Sequence, residues 1–193
     1  MLYHFDYDWA TYHFPSWQKL VSKYNPKTVL EIGSFEGRST IFWAERVEEV
    51  ECVDTWNGSE EHEDLLDFNR IEQHFDHNTA NHNVIKHKGL SSDILPRLIT
   101  EKKKFDLIYI DGSHTREDVL SDAIFCYHLS KKGTVIIFDD YLFYDSYRFS
   151  DWKMDKPSSI TSHPKTAIDA FVNIYEDKLR TISVGRQYTV EIL

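Results

Sequence analysis

Residues 28–40 read TVLEIGSFEGRST, and this stretch decides the fold. Residues 28–32 form an apolar run that predicts a strand ended by Gly33, and residues 39–47 predict a helix soon after it. Glycines after a strand let the backbone turn tightly and approach a ligand, and the N–H groups that open a helix face anionic groups well. The stretch therefore predicts a strand, a ligand-binding turn and a helix.

Strand-like and helix-like segments alternate along the rest of the chain, a pattern typical of a parallel sheet covered by helices. Further strands are predicted at residues 50–53, 83–87, 105–110, 134–138, 181–184 and 188–192. Helices are predicted at residues 64–75 and 94–98, at 120–127 with a stop at 131–133, and at 167–175. Only residues 185–187 separate the last two strands, so these form a hairpin and run antiparallel to each other.

Length and composition favour one cytoplasmic domain. The chain has 193 residues, of which 41% are apolar, and this suffices for a single core. The net charge of −10 argues against nucleic-acid binding. No stretch has membrane-spanning length, and the N-terminus lacks the pattern of a signal peptide. Cys52 and Cys126 are expected to be buried, free thiols.

Two segments outside the alternating pattern receive roles of their own. Residues 1–26 are expected to form an N-terminal helical cap, whose aromatic stretch is either a lid on the pocket or a contact face. Residues 141–164 lose the periodicity and are expected to form an acceptor-site loop, because loops of this length in a compact domain are often lids or binding loops.

Acidic residues and glycines follow four of the predicted strands. They are Glu31 with Gly33, then Asp54, Asp111, and Asp139 with Asp140. In open α/β sheets, ligands bind at the carboxyl ends of the strands, and an acidic residue about 20 positions after the glycine turn binds a ribose. The turn departs from the dinucleotide pattern G-x-G-x-x-G, because Phe35 occupies the middle glycine position. A nucleoside cofactor without a pyrophosphate is therefore favoured.

At this point the sequence resembles the class I S-adenosylmethionine-dependent methyltransferases. Residues 29–40 are similar to the first motif of that class, and the similarity continues through residues 53–56, 89–93, 110–115, 138–141 and 165–171. Within the class, the chain looks most similar to small bacterial methyltransferases related to the macrolide-sugar and catechol O-methyltransferases. The resemblance implies a doubly wound, Rossmann-like, seven-stranded and mostly parallel sheet with a C-terminal antiparallel hairpin. It also implies methyl transfer from S-adenosylmethionine to a small-molecule or sugar acceptor.

The same resemblance implies where the cofactor binds. Glu31, Gly33 and Gly37 would shape the methionine end together with Asp111, Asp54 would hold the ribose, and Thr55 and Trp56 would flank the adenosine. Leu90 and Ser91 would line the adenine. The complete implied set is Glu31, Gly33, Ser34, Phe35, Gly37, Ser39, Asp54, Thr55, Trp56, Gly89, Leu90, Ser91 and Asp111.

A metal and a base are predicted beside the cofactor. Asp111, Asp139 and Asp140 stand at two strand ends, and carboxylates at this spacing repel one another unless a cation or a proton intervenes. Oxygen ligands suit Mg²⁺, and the catechol and macrolide-sugar enzymes place metal ligands at the ends of the same two strands. His114 holds the position at which the macrolide-sugar enzymes carry a histidine and the catechol enzymes a lysine base. Asp111 and His114 are therefore the expected catalytic residues of a Mg²⁺-assisted O-methylation.

Other functions stay open at this stage. The same pocket could methylate without a metal or at nitrogen. An NAD-dependent oxidoreductase and a non-catalytic nucleoside-binding domain are alternatives of other classes. The oligomeric state is also open, a homodimer included. The spacing of His74 and His77 in the His-rich segment 62–87 would suit zinc, but no cysteine accompanies them, and such a polar segment is typical of solvated surface.

Overall fold

The computed structural model describes residues 2–58, 66–142 and 164–193, and within these ranges seven strands form one sheet. The strands are Thr28–Ile32 (β1), Glu49–Asp54 (β2), Val84–Lys88 (β3), Phe105–Ile110 (β4), Ser130–Phe138 (β5), Leu179–Val184 (β6) and Tyr188–Ile192 (β7). Their order across the sheet is β3-β2-β1-β4-β5-β7-β6. Strands β1 to β5 are parallel, and β7 runs antiparallel to both β5 and β6. The predicted Rossmann-like fold with a C-terminal hairpin is confirmed.

Six α-helices of the described ranges cover the two faces of this sheet. They are Phe14–Tyr24 (α1), Arg38–Ala44 (α2), Phe68–Thr79 (α3), Ser91–Thr100 (α4), Arg116–Leu129 (α5) and Pro164–Ile174 (α6). Buried side chains of α1, α2 and α3 belong to one hydrophobic core, and those of α4, α5 and α6 belong to a second. A helix long and apolar enough to cross a membrane does not occur in the described residues.

Strand β4 shows how the sequence supplies both cores. Leu107 and Tyr109 join the core under α1, α2 and α3, whereas Ile108 and Ile110 join the other one. Side chains alternate between the two faces of a strand, so a continuous apolar run places large groups on both. Burial of each such side chain contributes about 1.5–3 kcal/mol. This is why the apolar run predicted a strand buried on both faces.

Several element boundaries differ from the prediction, among them the end of α2 at Ala44 instead of residue 47, and two of the differences have a visible local cause. Helix α3 begins at Phe68 rather than near residue 64, because the Asp67 side chain caps it by accepting the Arg70 N–H at 3.2 Å. Residues 131–133 do not end a helix. Helix α5 ends at Leu129, and these residues lie in β5, where Gly133 has φ +88° beside an irregular pairing with β4. Gly133 therefore lies at the irregular beginning of a strand and not at the end of a helix.

The chain order reverses at β1, which lies between β2 and β4. Backbone hydrogen bonds extend the pairing past the strand ends, from Asp111 N to Ile32 O at 2.8 Å and from Asp139 N to Ile110 O at 2.9 Å. The turns after β1, β4 and β5 are thereby held side by side at one edge. This edge is the topological switch point, where open α/β sheets bind their ligands.

Candidate active site

The turn after β1 touches the turn after β4 directly. Gly33 and Gly37 have φ values of +82° and +83°, and an ideal Cβ on Gly33 would lie 1.9 Å from the Asp111 carbonyl oxygen. Only glycine fits such an approach in the left-handed region. Gly37 then caps α2, and its N–H donates to the Ser34 carbonyl at 2.7 Å. The predicted methionine-end residues are therefore neighbours in space.

Glu31 lies fully buried beneath this turn. Its Oε2 accepts the Ser34 hydroxyl at 2.8 Å and the Thr40 hydroxyl, and Ser39 is a further hydrogen-bond partner of the carboxyl. Burial raises the pKa of Glu31 in spite of these bonds. Its Oε1 has no hydrogen-bond partner. A buried acceptor of this kind has capacity for one further donor, so the residue fits a cofactor that carries an ammonium group.

Asp54 joins the end of β2 to the same turn. Its Oδ2 accepts the N–H groups of Ser34 and Phe35 at 2.8 and 2.9 Å, and its Oδ1 accepts the Trp56 N–H at 2.7 Å. Both carboxylate oxygens thus accept backbone N–H groups, and Oδ1, which accepts only one, retains a lone pair. Phe35 has φ +49°, and these bonds help to keep it there. The ribose role of Asp54 stays a prediction.

The remaining residues of the predicted adenosine end occupy different environments. The Trp56 ring is buried against Phe75 at 4.6 Å and donates its Nε1–H to the Phe35 carbonyl, so it supports the turn from below. Thr55 is half-buried and accepts the Asn57 N–H. Gly89, Leu90 and Ser91 lead from β3 into α4, and Leu90 is exposed. Leu90 follows the edge strand β3, on the far side of β2 from β1, and an exposed leucine there suits a surface that a ligand covers.

Tyr109 lies between two of the predicted metal ligands. Its hydroxyl oxygen is 2.8 Å from Asp111 Oδ2 and also bonds to Asp139 Oδ2. Because one hydroxyl carries one proton, two ionised carboxylates cannot both accept from it. Burial, followed by the charges of Asp139 and Asp140, raises the pKa of Asp111 well above its usual value. A protonated Asp111 satisfies this arrangement.

The pKa of Asp139 is shifted in the opposite direction. Burial by itself raises its pKa, but His13, the Tyr109 hydroxyl and the Asp140 N–H together hold the pKa below its usual value. His13 Nε2 is buried and lies 3.5 Å from Asp139 Oδ1, an ion-pair distance. The site therefore combines a protonated and an ionised carboxyl on either side of one tyrosine.

His114 and Asp140 complete the edge. His114 Nε2 is 2.8 Å from Asp140 Oδ2, and Asp140 has φ +53°, a strained conformation for an aspartate. A small pocket is lined by these two residues together with Asp111 and Asp139. All four predicted catalytic and metal residues thus face one pocket, as the sequence predicted from their strand-end positions.

His13 and Tyr109 were missed at the sequence level. Tyr109 could have been found, because it stands two positions before Asp111 and side chains two apart on a strand share a face. His13 carried no such signal. It reaches Asp139 through the packing of the N-terminal segment, and no local spacing predicts a contact across more than 100 residues. The predicted loop 141–164 lies outside the described residues except for Tyr141, Leu142 and Pro164.

The three aspartates offer the oxygen ligands that Mg²⁺ prefers, but their oxygens do not converge. In the parts of the chain that the structure describes, His, Cys, Asp or Glu ligand atoms lie mutually within 4.8 Å at Asp6, Glu36 and His74 instead. At that second place the Glu36 carboxylate already accepts two backbone N–H groups, so the cluster is a hydrogen-bond network. A cation at the predicted site would require Tyr109 to leave one carboxylate.

Comparison with known proteins agrees with this geometry. Residues 30–141 match a family described as "Methyltransferase domain". An uncharacterized protein, R132 of Acanthamoeba polyphaga mimivirus, is 29% identical over 137 residues, which are 70% of this chain and 59% of that protein. The chain thus spans less than two thirds of the length of this relative.

Solved structures share the fold. An O-methyltransferase from Bacillus cereus in complex with SAH has a TM-score of 0.66 at 22% identity, with 96% of this chain and 83% of that chain covered. TomG, an O-methyltransferase from Streptomyces achromogenes in complex with SAM, has a TM-score of 0.68 at 18% identity, with coverages of 97% and 82%. MycE of the mycinamycin biosynthetic pathway, in complex with Mg and SAH, has a TM-score of 0.63 at 15% identity, with coverages of 96% and 51%.

Proposed function

The chain belongs to the methyltransferase domain family, and from this premise we propose that it transfers a methyl group from S-adenosylmethionine to a hydroxyl of a small molecule or sugar. The observation that carries the proposal is that His114, Asp140 and Asp111 line one pocket, while the backbone of Asp111 is in direct contact with Gly33 of the glycine turn. The predicted base and the predicted cofactor turn are therefore adjacent at the switch point. We also propose that the chain forms one domain.

The cofactor half of the site rests on the turn after β1. Three features suit an S-adenosylmethionine molecule bound across this edge. The turn lies in close contact with Asp111, buried Glu31 can accept one more donor, and Leu90 at the start of α4 is exposed. When bound, this cofactor supplies an activated methyl group on a sulfonium. SAH and SAM are present in the Bacillus cereus and Streptomyces achromogenes structures, which supports the assignment.

His114 is the proposed general base. In the tautomer that donates Nε2–H to Asp140, Nδ1 is the basic nitrogen, and the carboxylate stabilises the imidazolium that forms when the ring takes a proton. The acceptor O–H bond breaks, its proton passes to the imidazole, and the oxygen electron pair forms the new bond to the methyl carbon. The leaving group is the neutral thioether. Alignment of oxygen and methyl accounts for much of the rate enhancement in such reactions.

The proposed chemistry has two versions, one with a divalent cation and one without it. Asp111, Asp139 and Asp140 would hold Mg²⁺ after rearrangement around Tyr109, and the cation would orient the acceptor hydroxyl and lower its pKa. Mg in MycE supports this version. The metal-free version is favoured by the imidazoles that already lie beside the carboxylates, with His13 Nε2 3.5 Å from Asp139 Oδ1 and His114 Nε2 2.8 Å from Asp140 Oδ2.

Calorimetry with S-adenosylmethionine and S-adenosylhomocysteine tests the cofactor assignment, and absence of heat at millimolar ligand rejects it. Activity is measured as S-adenosylhomocysteine release with a panel of catechol, phenol and sugar acceptors. His114→Gln should lower kcat about 10²–10⁴-fold while cofactor affinity stays unchanged. Excess chelator separates the two versions. Full activity in excess chelator removes the cation from the proposal.

A further inference from the structure

Glu36 is a buried acid in the middle of the glycine turn, and its carboxylate bonds to the N-terminal segment. The side chain is 1% exposed. It accepts the Asp6 N–H at 2.9 Å and the Tyr7 N–H at 3.0 Å through Oε2, while Oε1 is 2.7 Å from His74 Nδ1. A turn residue needed only for local geometry has no reason to bind the backbone of a segment 30 positions away. We call residues 3–9 the N-terminal strap.

Asn78 of α3 forms a second link between the strap and the turn. Its Nδ2 donates to the carbonyl oxygens of both His4 and Glu36 at 2.8 Å, and its Oδ1 accepts the His4 N–H at 2.8 Å. Asn78 is also buried. One amide group therefore ties the strap and the turn together, so a displacement of either one costs hydrogen bonds of the other.

Aromatic packing adds a third link. Trp9 stacks on Phe35 with ring centroids 4.8 Å apart, and Tyr7 meets the same ring edge-on at 5.8 Å. Phe35 is the strained residue of the turn, and Trp9 is still 53% exposed. The strap thus lies on Phe35, whose backbone faces the predicted cofactor site. Part of the Trp9 ring remains exposed to solvent.

The segment after the strap reaches the acceptor side. Arg38, the first residue of α2, donates from Nε and Nη2 to the Thr11 hydroxyl at 3.0 and 2.9 Å. Tyr12 comes next, and burial, followed by the charges of Asp139 and Asp140, raises its pKa to about 12. His13 then pairs with Asp139. One continuous stretch of chain therefore runs from the cofactor turn to the carboxylate edge.

We propose that Glu36 is a positioning residue that couples the N-terminal strap to the cofactor turn, so that cofactor binding and strap docking strengthen each other and the docked chain brings Tyr12 and His13 to the acceptor. This inference rests on the proposed function, because it takes the turn to be the cofactor site. Coupling between two sites is reciprocal, so each side of the linkage is open to measurement.

The experiment measures both sides with S-adenosylhomocysteine as the probe. Chymotrypsin cleaves after aromatic residues, and Phe5, Tyr7 and Trp9 lie in the strap. Excess S-adenosylhomocysteine should slow cleavage of the strap in the wild-type protein. Glu36→Gln keeps the size of the side chain but puts an amide donor against two N–H groups. We expect it to weaken S-adenosylhomocysteine binding about tenfold and to abolish the ligand-dependent protection.

Glu45→Gln is the matched control. Glu45 accepts the Tyr3 hydroxyl at 3.1 Å, so it touches the strap without belonging to the cofactor turn. This variant should bind the ligand as the wild type does. A second variant that begins at Ala10 removes the strap and leaves Glu36 in place, and it should show the same tenfold loss. If Glu36→Gln does not fold, this truncated variant tests the coupling by itself.

Unchanged affinity in the truncated protein, or strap cleavage that the ligand does not slow, overturns the coupling. A purely structural role for Glu36 predicts a lower melting temperature with intact ligand-dependent protection, and that result overturns it as well. Failure of the wild type to bind S-adenosylhomocysteine is a separate outcome, because it rejects the proposed function and this inference with it.

Discussion

A methyl group added at Gly33 tests the contact on which the whole site depends. The residue has φ +82°, and an ideal Cβ would lie 1.9 Å from the Asp111 carbonyl oxygen and 2.9 Å from the Gly112 Cα. These atoms belong to the backbone, so no change of rotamer relieves the overlap. The turns after β1 and β4 must move apart by about 1 Å before the contact becomes tolerable.

The loss of stability has two contributions, backbone strain and steric overlap, and other glycines of the chain allow them to be measured separately. A left-handed backbone costs an L-residue roughly 1–2 kcal/mol, and displacement of well-packed groups costs about 1–3 kcal/mol more. Gly33→Ala should therefore lower the free energy of unfolding by about 2–5 kcal/mol. Gly133 has φ +88°, and nothing lies within 4 Å of its ideal Cβ, so Gly133→Ala should show the first part alone. Gly185, in open space and without a positive φ, supplies the baseline.

Urea unfolding followed by tryptophan fluorescence and near-ultraviolet circular dichroism gives the three free energies, and calorimetry gives the affinity for S-adenosylhomocysteine. Gly33→Ala should bind S-adenosylhomocysteine more weakly and should lose about 100-fold in kcat, because misplacement of a substrate-positioning turn by about 1 Å costs about that much in rate. The two control variants should bind normally. If Gly33→Ala and Gly133→Ala lost the same stability and both bound the ligand at wild-type strength, the contact between the two turns would be refuted.

Three further predictions concern buried groups away from the turn. Burial, with the charge of a neighbouring aspartate, raises the pKa of Asp122 to about 7, so its ionisation destabilises the fold as pH rises from about 4 to 7. Asp122→Asn should accordingly raise the midpoint of urea unfolding at pH 8 and leave it nearly unchanged at pH 4. The pKa of Glu51 is lowered against its burial by His87 and Lys103, so its contribution is present above pH 4.3 and lost as pH falls through the lower folded-state pKa. Glu51→Gln should cost about 1.5–3 kcal/mol at pH 7, measured by urea unfolding, and the difference from wild type should shrink as pH falls below about 4.3. Burial raises the pKa of the Cys126 thiol, so a thiol reagent should label it only at the rate of global unfolding, and rapid labelling of the native protein would contradict its place in the core.

The elements that the sequence predicted well are those governed by local pattern. Strands β1, β4 and β7 begin and end where predicted, and for β1 and β4 the apolar run is followed directly by Gly33 and Asp111. The antiparallel hairpin followed from a link of three residues, since so short a link permits no crossover. The pocket followed from four acidic strand ends, because parallel strands bring their carboxyl ends to one edge.

The elements that were missed depend on contacts distant in sequence or on competing local signals. Residues 131–133 carry a helix-stop pattern, but Thr134 donates its hydroxyl to the Phe105 carbonyl, and pairing with β4 extends the strand back to Ser130. The shift of α3 was readable in principle, since Asp67 is a capping residue before an apolar periodicity. His13 could not be predicted, because only the tertiary packing of the segment before α1 brings it to Asp139.

Charge balance at the carboxylate edge links these observations. Asp111, Asp139 and Asp140 bring three acidic groups together. Burial and the neighbouring carboxylates raise the pKa of Asp111, and the His13 and His114 rings lie 3.5 and 2.8 Å from Asp139 and Asp140. A divalent cation would compete with both imidazoles for the same carboxylate oxygens. Chelator insensitivity would then follow from the place of His13, whose ring stacks on Trp17 and whose backbone N–H donates to the Ala10 carbonyl. His13→Ala removes this imidazole and leaves the strap unchanged. If that variant became dependent on added Mg²⁺ while the wild type was not, His13 would be the residue that lets this edge work without a metal.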